Sequence, residues 1–274
     1  MRSAGPRTAV VTGAGSGIGR ALAVRMVREG WRVTGTARDV EGARARDWPS
    51  GVDIAELDLS RPESIGGFVD VLADQMAPDV LVNNAGALEF GAIEDYGQAE
   101  VESLFHVNVL GPMQLTTALV PAFRERGSGV IVNISSLSGI MLFSFYGLYG
   151  GTKHALEALS ETLWYELRPF GVRVKLVQPG FVDTPIWDKG GANLTSIDPS
   201  SPYGHLQARM VRLTQRTGRR EPCEKAADLV WRALNDDSHR FRYPICGARP
   251  LALARRVLGP DLQMRILWSM WMRS

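Results

Sequence analysis

The chain has 274 residues, of which 45% are hydrophobic and 22% charged. This is enough apolar material for one large domain or two small ones, and it excludes a disordered chain, which would need low hydrophobicity and high net charge. The net charge of +2 argues against nucleic-acid binding, which usually comes with a strong basic excess. The charge is unevenly placed: residues 205–274 carry 14 basic and 6 acidic groups, whereas residues 1–204 carry 17 and 23.

The cysteine content and the N-terminus point to a cytoplasmic protein. Cys223 and Cys246 are too few for a disulfide framework and fit a reducing compartment. Residues 1–6 are short and polar, so no signal peptide is predicted. The uncharged stretch 127–152 is rich in Gly, Ser, Asn and Tyr, which favours a buried strand and a polar loop over a membrane span.

Short β-branched runs alternate with longer stretches of helical periodicity along the chain. Strands are predicted at 8–11, 31–36, 54–57, 80–83, 130–135, 172–177 and 240–246. Helices are predicted at 18–29, 62–76, 99–126, 149–168 and 222–235. The alternation indicates an α/β fold, with residues 1–274 forming a single doubly wound Rossmann-type domain. Its parallel sheet would have about seven strands, with helices on both faces.

The C-terminal third departs from this alternation. Residues 181–203 are irregular, which in a compact domain is typical of a functional loop. Leu206, Met210 and Leu213 then recur at helical spacing, so residues 181–220 are interpreted as a substrate loop and lid. Residues 247–274 are interpreted as a C-terminal amphipathic extension of arginines and tryptophans. Docking on its own domain or on a second subunit is favoured over peripheral contact with a membrane.

A glycine-rich turn follows the first predicted strand and opens directly into a helix. It reads T-G-A-G-S-G-I-G over residues 12–19. Glycine lets the backbone turn tightly and approach a pyrophosphate, and the helix N-terminus offers free N–H groups to its charge. The turn therefore predicts a dinucleotide site, formed by Gly13, Gly15, Ser16, Gly17, Ile18 and Gly19.

Three side chains have the spacing of a proton-transfer site. Tyr149 and Lys153 are four residues apart, so on a helix they lie on one face. A nearby ammonium is expected to lower the pKa of the phenol, which starts at about 10, and so to suit it for proton transfer near neutral pH. Ser136, at the end of the fifth predicted strand, is placed to polarise the same substrate oxygen.

In combination these motifs resemble the compact branch of the short-chain dehydrogenase/reductase family, and most of all its steroid- and retinol-dehydrogenase-like members. The resemblance implies a catalytic set of Asn108, Ser136, Tyr149 and Lys153, with Asn108 as a structural asparagine linked to the lysine. It also implies further cofactor contacts: some near adenine, some in the N-N-A-G motif (residues 83–86) and the P-G-x-x-x-T motif (residues 179–184), and two from the tyrosine and lysine themselves. These are Asp58, Leu59, Asn84, Ala85, Gly86, Tyr149, Lys153, Pro179, Gly180, Val182 and Thr184.

The end of the second strand bears on which nicotinamide cofactor is preferred. A protein preferring NAD would place a carboxylate there, against the ribose hydroxyls. By resemblance, Ala37 occupies that position and Arg38 the one that accepts a 2′-phosphate, for which the arginine fork is suited. This predicts a preference for NADP(H) over NAD(H). The alternative is that Asp39 is the ribose ligand.

The prediction is an NADP(H)-dependent oxidoreductase acting on a small lipophilic ketone, aldehyde or secondary alcohol, as a homo-oligomer (dimer or tetramer). The apolar residues Ile140, Met141, Leu142, Phe143, Trp187, Leu194, Ile197 and Tyr203 suggest the lipophilic substrate. No metal is expected, since the histidines are scattered and the cysteines lack ligand spacing. Gly150 and Gly151 are expected to loosen the start of the catalytic helix. The alternative function is a nucleotide-sensing binding protein without turnover.

Overall fold

Seven parallel strands form one sheet. The structure, a computed structural model, describes residues 5–73, 77–187, 200–216 and 220–271. The strands are β1 (Thr8–Val11), β2 (Arg32–Ala37), β3 (Val52–Glu56), β4 (Val80–Asn83), β5 (Gly129–Ile134), β6 (Val172–Pro179) and β7 (Arg242–Ile245). Their order is β3-β2-β1-β4-β5-β6-β7, which confirms the predicted parallel sheet.

The helices lie between and after the strands. They are α1 (Gly17–Arg28), α2 (Val40–Arg44), α3 (Pro62–Ala73), α4 (Gln98–Phe105), α5 (Gly111–Arg126), α6 (Gly147–Leu167), α7 (Gly204–Arg216), α8 (Cys223–Leu234), α9 (Ala248–Val257) and α10 (Pro260–Trp271). Short 3₁₀ turns occur at Ile93–Asp95, Leu137–Gly139 and Arg168–Phe170, and one π-helical turn at His106–Leu110. Within the described ranges, no helix combines the length and hydropathy needed to cross a bilayer.

The sheet is packed on both faces, as a doubly wound fold requires. Neighbouring strand residues belong to opposite cores, because strand side chains alternate in direction: Val130 and Val132 face one core and Ile131 the other. Apolar side chains of α1 and α8 fill the first core, and those of α3 and α5 fill the second. The single Rossmann-type domain is confirmed.

The topology opens a crevice at one edge of the sheet. Strand β1 lies between β2 and β4, so the chain winds away from β1 in two directions. In doubly wound sheets such a reversal separates the loops at the carboxyl ends of the strands and leaves room for a ligand. The glycine-rich turn follows β1 and the N-N-A-G segment follows β4, so both motifs meet there.

The predicted helix over residues 99–126 is present, but a π-helical turn interrupts its α-helical hydrogen bonding. Helix α4 ends at Phe105, a π turn covers His106–Leu110, and α5 begins at Gly111. Asn108, in the middle of that turn, is buried. Single π turns of this kind occur frequently at functional sites.

Candidate functional site

Hydrogen bonds tie the glycine-rich turn to the end of β4. The Thr12 hydroxyl accepts the backbone N–H groups of Asn84 and Ala85, both at 3.0 Å, and the Asn84 amide donates to the Thr12 carbonyl at 2.9 Å. A Cβ on Gly13 would lie 2.8 Å from the Ala85 Cα, and one on Gly19 would lie 2.6 Å from the Gly13 carbonyl oxygen. These two positions therefore need glycine because backbone passes where a side chain would be.

The start of α1 suits an anion. Ser16, at the N-cap, makes no side-chain cap hydrogen bond, and the first turn contains no acidic residue. The backbone N–H groups of that turn therefore remain available to a negatively charged ligand. Gly17 has a φ of +59°, and a Cβ there would come 3.5 Å from the Thr184 side chain, so the turn and the segment after β6 approach each other. The turn fits the phosphates of a dinucleotide.

The remaining predicted cofactor residues are spread along the same edge. Gly15 lies beside Ala37: a Cβ added to Gly15 would lie 3.4 Å from the Ala37 Cβ. Ile18 is partly buried against the core. Pro179 ends β6, and the Gly180 N–H donates to the Ile245 carbonyl at 3.0 Å. Val182 is buried and forms a parallel bridge with Glu221.

Asp58 and Leu59 differ in what they offer a ligand. Asp58 accepts hydrogen bonds from the Ser60 backbone and hydroxyl at 2.9 and 2.7 Å. Although burial opposes it, these bonds, with the nearby Arg38 and Arg61 cations, lower the pKa of Asp58, so the carboxylate is charged. The Leu59 side chain packs in the core and is only 4% exposed, so a contact with the cofactor would come from its backbone.

Arg38 and Asp39, just past the end of β2, have different roles. The Arg38 side chain is exposed and near Asp58. The Asp39 carboxylate accepts the Gly42 N–H at 2.8 Å and caps α2. Asp39, the alternative candidate for the ribose ligand, thus already bonds within its own loop.

Three elements bring the four predicted catalytic residues together. Ser136 follows β5, Tyr149 and Lys153 lie on α6, and Asn108 lies in the π turn. The buried Tyr149 side chain lies near that of Ser136, which acts to lower the pKa of the phenol. The Lys153 Nζ lies 5.7 Å from the Tyr149 ring centroid and donates to the Ile134 carbonyl at 3.1 Å.

Asn108 is held by its side-chain amide against Ala87 and α6. Its Oδ1 accepts the Ala87 N–H at 2.8 Å, and its Nδ2 donates to the Ala87 carbonyl at 2.9 Å and to the Thr152 Oγ1 at 3.0 Å. A Cβ on Gly86 would lie 3.2 Å from the Asn108 Oδ1 and 3.6 Å from the Lys153 Nζ, so these two atoms flank the same point. The arrangement explains the π turn, which places the amide against Ala87 and α6.

Burial dominates the ionisation of the tyrosine–lysine pair. It raises the pKa of Tyr149 to about 12, although the nearby Ser136 side chain acts to lower it. It also lowers the pKa of Lys153 to about 8, an effect that the Glu157 carboxylate opposes. The expected lowering of the tyrosine pKa is wrong for this geometry, because removal from water outweighs the opposing effect of Ser136.

Glu157 is a buried residue of this region that the sequence reasoning missed. It lies on α6, one turn after Lys153, and its Oε1 accepts hydrogen bonds from Ser135 Oγ and Gln178 Nε2, both at 2.8 Å. Its Oε2 lies 3.8 Å from the Arg242 Nε. Burial raises its pKa. The spacing of four residues from Lys153 was the available signal, since it places both side chains on one helix face.

An apolar cluster surrounds Tyr149. Its members come from several loops and from α4, α6 and α7, and include Leu88, Phe90, Leu104, Phe143, Phe145, Tyr146, Ile186, Trp187 and Met210. Phe143 and Trp187 were predicted to line the substrate region, and Tyr203 joins through ring contact with Phe145 at 6.2 Å. Ile140 packs instead against Leu137 and Ala248, and Met141 is also buried. Leu194 and Ile197 lie outside the described residues.

The two glycines after Tyr149 differ in surroundings. A Cβ on Gly150 would run into the Leu142 side chain, whereas one on the exposed Gly151 would meet nothing within 4 Å. We expect Gly151→Ala to raise the free energy of unfolding by about 0.5–1 kcal/mol, because alanine loses less entropy in a helix. Gly150→Ala should gain less, because Leu142 must move. Equal gains of the two variants in chemical denaturation would contradict the packing role of Gly150.

Comparison with known proteins agrees with this geometry. The sequence model of the short chain dehydrogenase family matches residues 7–194. Solved relatives have been observed with both nicotinamide cofactors. A short-chain dehydrogenase from Sphingobium yanoikuyae in complex with NADPH is 28% identical, with a TM-score of 0.74, and covers 96% of this chain and 95% of its own. One from Burkholderia phymatum in complex with NAD is 26% identical, with a TM-score of 0.77 and 97% of each chain covered.

Three similar proteins align with most of this chain. The oxidoreductase YusZ of Bacillus subtilis is 33% identical, over 97% of this chain and 95% of its own. Mouse 17-beta-hydroxysteroid dehydrogenase type 1 is 32% identical, over 87% of this chain and 73% of its own. A solved short-chain dehydrogenase from Streptomyces avermitilis is 35% identical, with a TM-score of 0.82 and coverage of 98% and 97%. The chain therefore belongs to the short-chain dehydrogenase family of oxidoreductases and resembles its steroid- and retinol-dehydrogenase members.

Proposed function

We propose that this oxidoreductase transfers a hydride between NADP(H) and a lipophilic carbonyl compound or secondary alcohol, with Tyr149 as the general acid and base. One observation carries the proposal: Ser136, Tyr149 and Lys153 converge beside a glycine-rich turn at the carboxyl edge of the sheet. Catalytic and binding groups of doubly wound folds are expected at that edge.

The bound nicotinamide supplies or accepts the hydride. In the direction of reduction, the Tyr149 hydroxyl donates its proton to the carbonyl oxygen, and the Ser136 hydroxyl donates a hydrogen bond to the same oxygen. The proximity of the two side chains supports this pairing, since both hydroxyls can then reach one oxygen. The Lys153 ammonium stabilises the phenolate that remains on Tyr149. Asn108 is a positioning residue, holding Thr152 on the turn of α6 that carries the lysine.

Two features support the choice of substrate and cofactor. The apolar cluster around Tyr149 fits a lipophilic substrate, and relatives are named for a hydroxysteroid and for retinol. The exposed Arg38 favours a 2′-phosphate, whereas the nearby Asp39 is engaged as a helix cap. By analogy with the family, we expect a homo-oligomer.

A substrate panel tests the proposed function. Lipophilic ketones, aldehydes and secondary alcohols would be incubated with each nicotinamide cofactor, and turnover followed by the absorbance of the reduced form. We expect steady NADPH oxidation with at least one lipophilic carbonyl compound. Tight NADPH binding without turnover of any panel member would overturn the proposal and favour a nucleotide-sensing binding protein.

The pH dependence of turnover should report on Glu157. Its carboxylate opposes the effect of burial, which lowers the pKa of Lys153 to about 8. Glu157→Gln removes this charge and keeps the side-chain size. The lysine then loses its proton at lower pH, so the alkaline limb of the kcat profile for reduction should move to lower pH.

Glu161→Gln is the matched control for that shift. Glu161 lies one turn further along α6, is 42% exposed, and contacts Arg242 at 2.6 Å. Its neutralisation removes the same charge from the same helix, but far from Lys153 and in contact with water. An alkaline limb that stays in place in Glu157→Gln, or moves equally in both variants, would contradict the assigned role.

A further inference from the structure

The two C-terminal helices expose an unusual amount of apolar surface. On α9, Val257 is 73% exposed and Leu253 also faces solvent; on α10, Met264 is 63% and Trp268 58% exposed, with Leu262 exposed as well. We call these five residues, together with Arg249, Arg256 and Arg265, the tail surface. Large apolar side chains clustered on one part of a protein usually mark an interaction site.

Each of the two helices places basic and apolar side chains on the same face. On α9, Arg249, Leu253, Arg256 and Val257 follow the spacing of one helix face. On α10, Met264, Arg265 and Trp268 do the same and, with Asp261 and Ser269, line a shallow surface depression. A helix that presents arginines beside a tryptophan and aliphatic side chains suits the boundary between lipid headgroups and acyl chains.

The tail surface is basic and its arginines are unneutralised by ion pairs. Residues 248–274 contain five arginines and one acidic residue, Asp261. Among the residues that the structure describes, no ion pair involves Arg249, Arg256 or Arg265. Arg255 is not part of this set, because it donates to the Gln263 Oε1 at 2.6 Å and joins α9 to α10. The complementary partner therefore carries negative charge as well as apolar groups.

A second copy of the chain, although favoured over a membrane from the sequence alone, meets this requirement poorly. In a two-fold dimer the same patch faces itself, so the arginines of one copy would oppose those of the other. A contact between the tail surface of one copy and an acidic region of another is head-to-tail, and it extends without limit unless its rotation closes a ring. An anionic lipid surface has neither difficulty and offers both phosphates and acyl chains.

We propose that the tail surface docks the protein on anionic membranes. The location of the two helices fits such docking, because both lie next to elements of the site. Helix α10 packs against α7, whose Met210 belongs to the apolar cluster around Tyr149, and α9 packs against the turn that follows Ser136. Docking through α9 and α10 would bring that apolar cluster close to the lipid. The docking is a binding property and stands independently of the proposed reaction.

Vesicle sedimentation tests the proposal with the full chain. The protein would be mixed with vesicles of phosphatidylcholine alone or of phosphatidylcholine with phosphatidylglycerol. We expect binding to the anionic vesicles, weakened by added salt, and much weaker binding to the neutral ones. Two double variants test the tail surface: Met264→Ser/Trp268→Ser and Arg256→Glu/Arg265→Glu. Each should lower the affinity for the anionic vesicles by at least about tenfold.

Matched controls change the same chemistry elsewhere. Val71→Ser removes an exposed apolar side chain from α3, and Arg28→Glu/Arg46→Glu reverses two exposed arginines outside the tail surface. Both controls should bind like the parent protein, and circular dichroism would check that every variant is folded. No binding of the parent protein to anionic vesicles, or equal binding of parent and tail variants, would overturn the proposal. So would a parent dimer that Met264→Ser/Trp268→Ser makes monomeric in sedimentation velocity, since a second copy would then be the occupant.

Discussion

We expect Tyr149→Phe to lower kcat by about a hundred- to ten-thousandfold, the usual contribution of a positioned general acid. The substitution removes one hydroxyl and leaves the ring in its apolar surroundings, so the fold and NADPH binding should be unchanged. Burial raises the pKa of Tyr149 to about 12, so the hydroxyl holds its proton at neutral pH and is ready to donate it. Steady-state turnover and a fluorescence titration with NADPH measure the two effects separately.

Tyr146→Phe is the matched control for this loss. Tyr146 is equally buried, belongs to the same apolar cluster, and also loses a single hydroxyl. It lies three residues before Tyr149 and seven before Lys153, outside the spacing that pairs a phenol with the ammonium. Turnover that survives in Tyr149→Phe, or falls equally in both variants, would disprove the role of Tyr149.

Arg38→Ala should raise the dissociation constant for NADPH by about ten- to a hundredfold while leaving that for NADH nearly unchanged. A bidentate, charge-assisted contact with the 2′-phosphate contributes this much, and NADH has no such phosphate. Arg38 is exposed at the end of β2, so its removal should not disturb the core. Both constants must be measured at the same ionic strength, because salt screens an exposed contact.

Two neighbours provide controls for Arg38. Arg61 also lowers the pKa of Asp58 but pairs with Glu63 at 2.9 Å, so Arg61→Ala tests whether any nearby cation has the same effect. Asp39→Ala removes the cap of α2, with a loss of about 1 kcal/mol in stability, and should leave the ratio of the two constants unchanged. A parent protein that prefers NADH, or an altered ratio in Asp39→Ala, would favour Asp39 as the ribose ligand.

The elements that the sequence predicted best are those whose signal is local. Strands β1 and β4 appear at their predicted bounds because short apolar runs, 9–11 and 80–82, mark strands buried on both faces. The glycine-rich turn was predictable for a similar reason, since strand, turn and helix are adjacent in the chain. The resemblance to the family supplied the set Asn108, Ser136, Tyr149 and Lys153, whose members lie on three elements near one edge of the sheet.

What the sequence did not predict depends on contacts between distant residues. The π turn at Asn108 accompanies bonds of its side chain to Ala87, which periodicity along residues 99–126 cannot show. The packing of Gly150 against Leu142, and the burial that sets the pKa of Tyr149, likewise exist only in the folded chain. The short helix α2 was missed because five residues carry too little periodic pattern.

The buried amides of the central strands restrict which substitutions this sheet can accept. Asn83 donates to the Thr116 Oγ1 and to the Asn133 Oδ1, and Asn133 donates to the Ser160 Oγ. Both hydroxyls give their only proton to a carbonyl of their own helix, so they can only accept from the amides. An aspartate at position 83 or 133 has the right shape but, when ionised, no proton to give.

Deamidation of either asparagine would therefore leave two acceptors facing each other in the core. Each unsatisfied group would lower the stability of the fold by about 1–3 kcal/mol. A leucine at either position would likewise leave the groups that bond to the asparagine without a hydrogen-bond partner. The connected side chains can thus be replaced as a set more readily than one at a time, so related sequences should change them together.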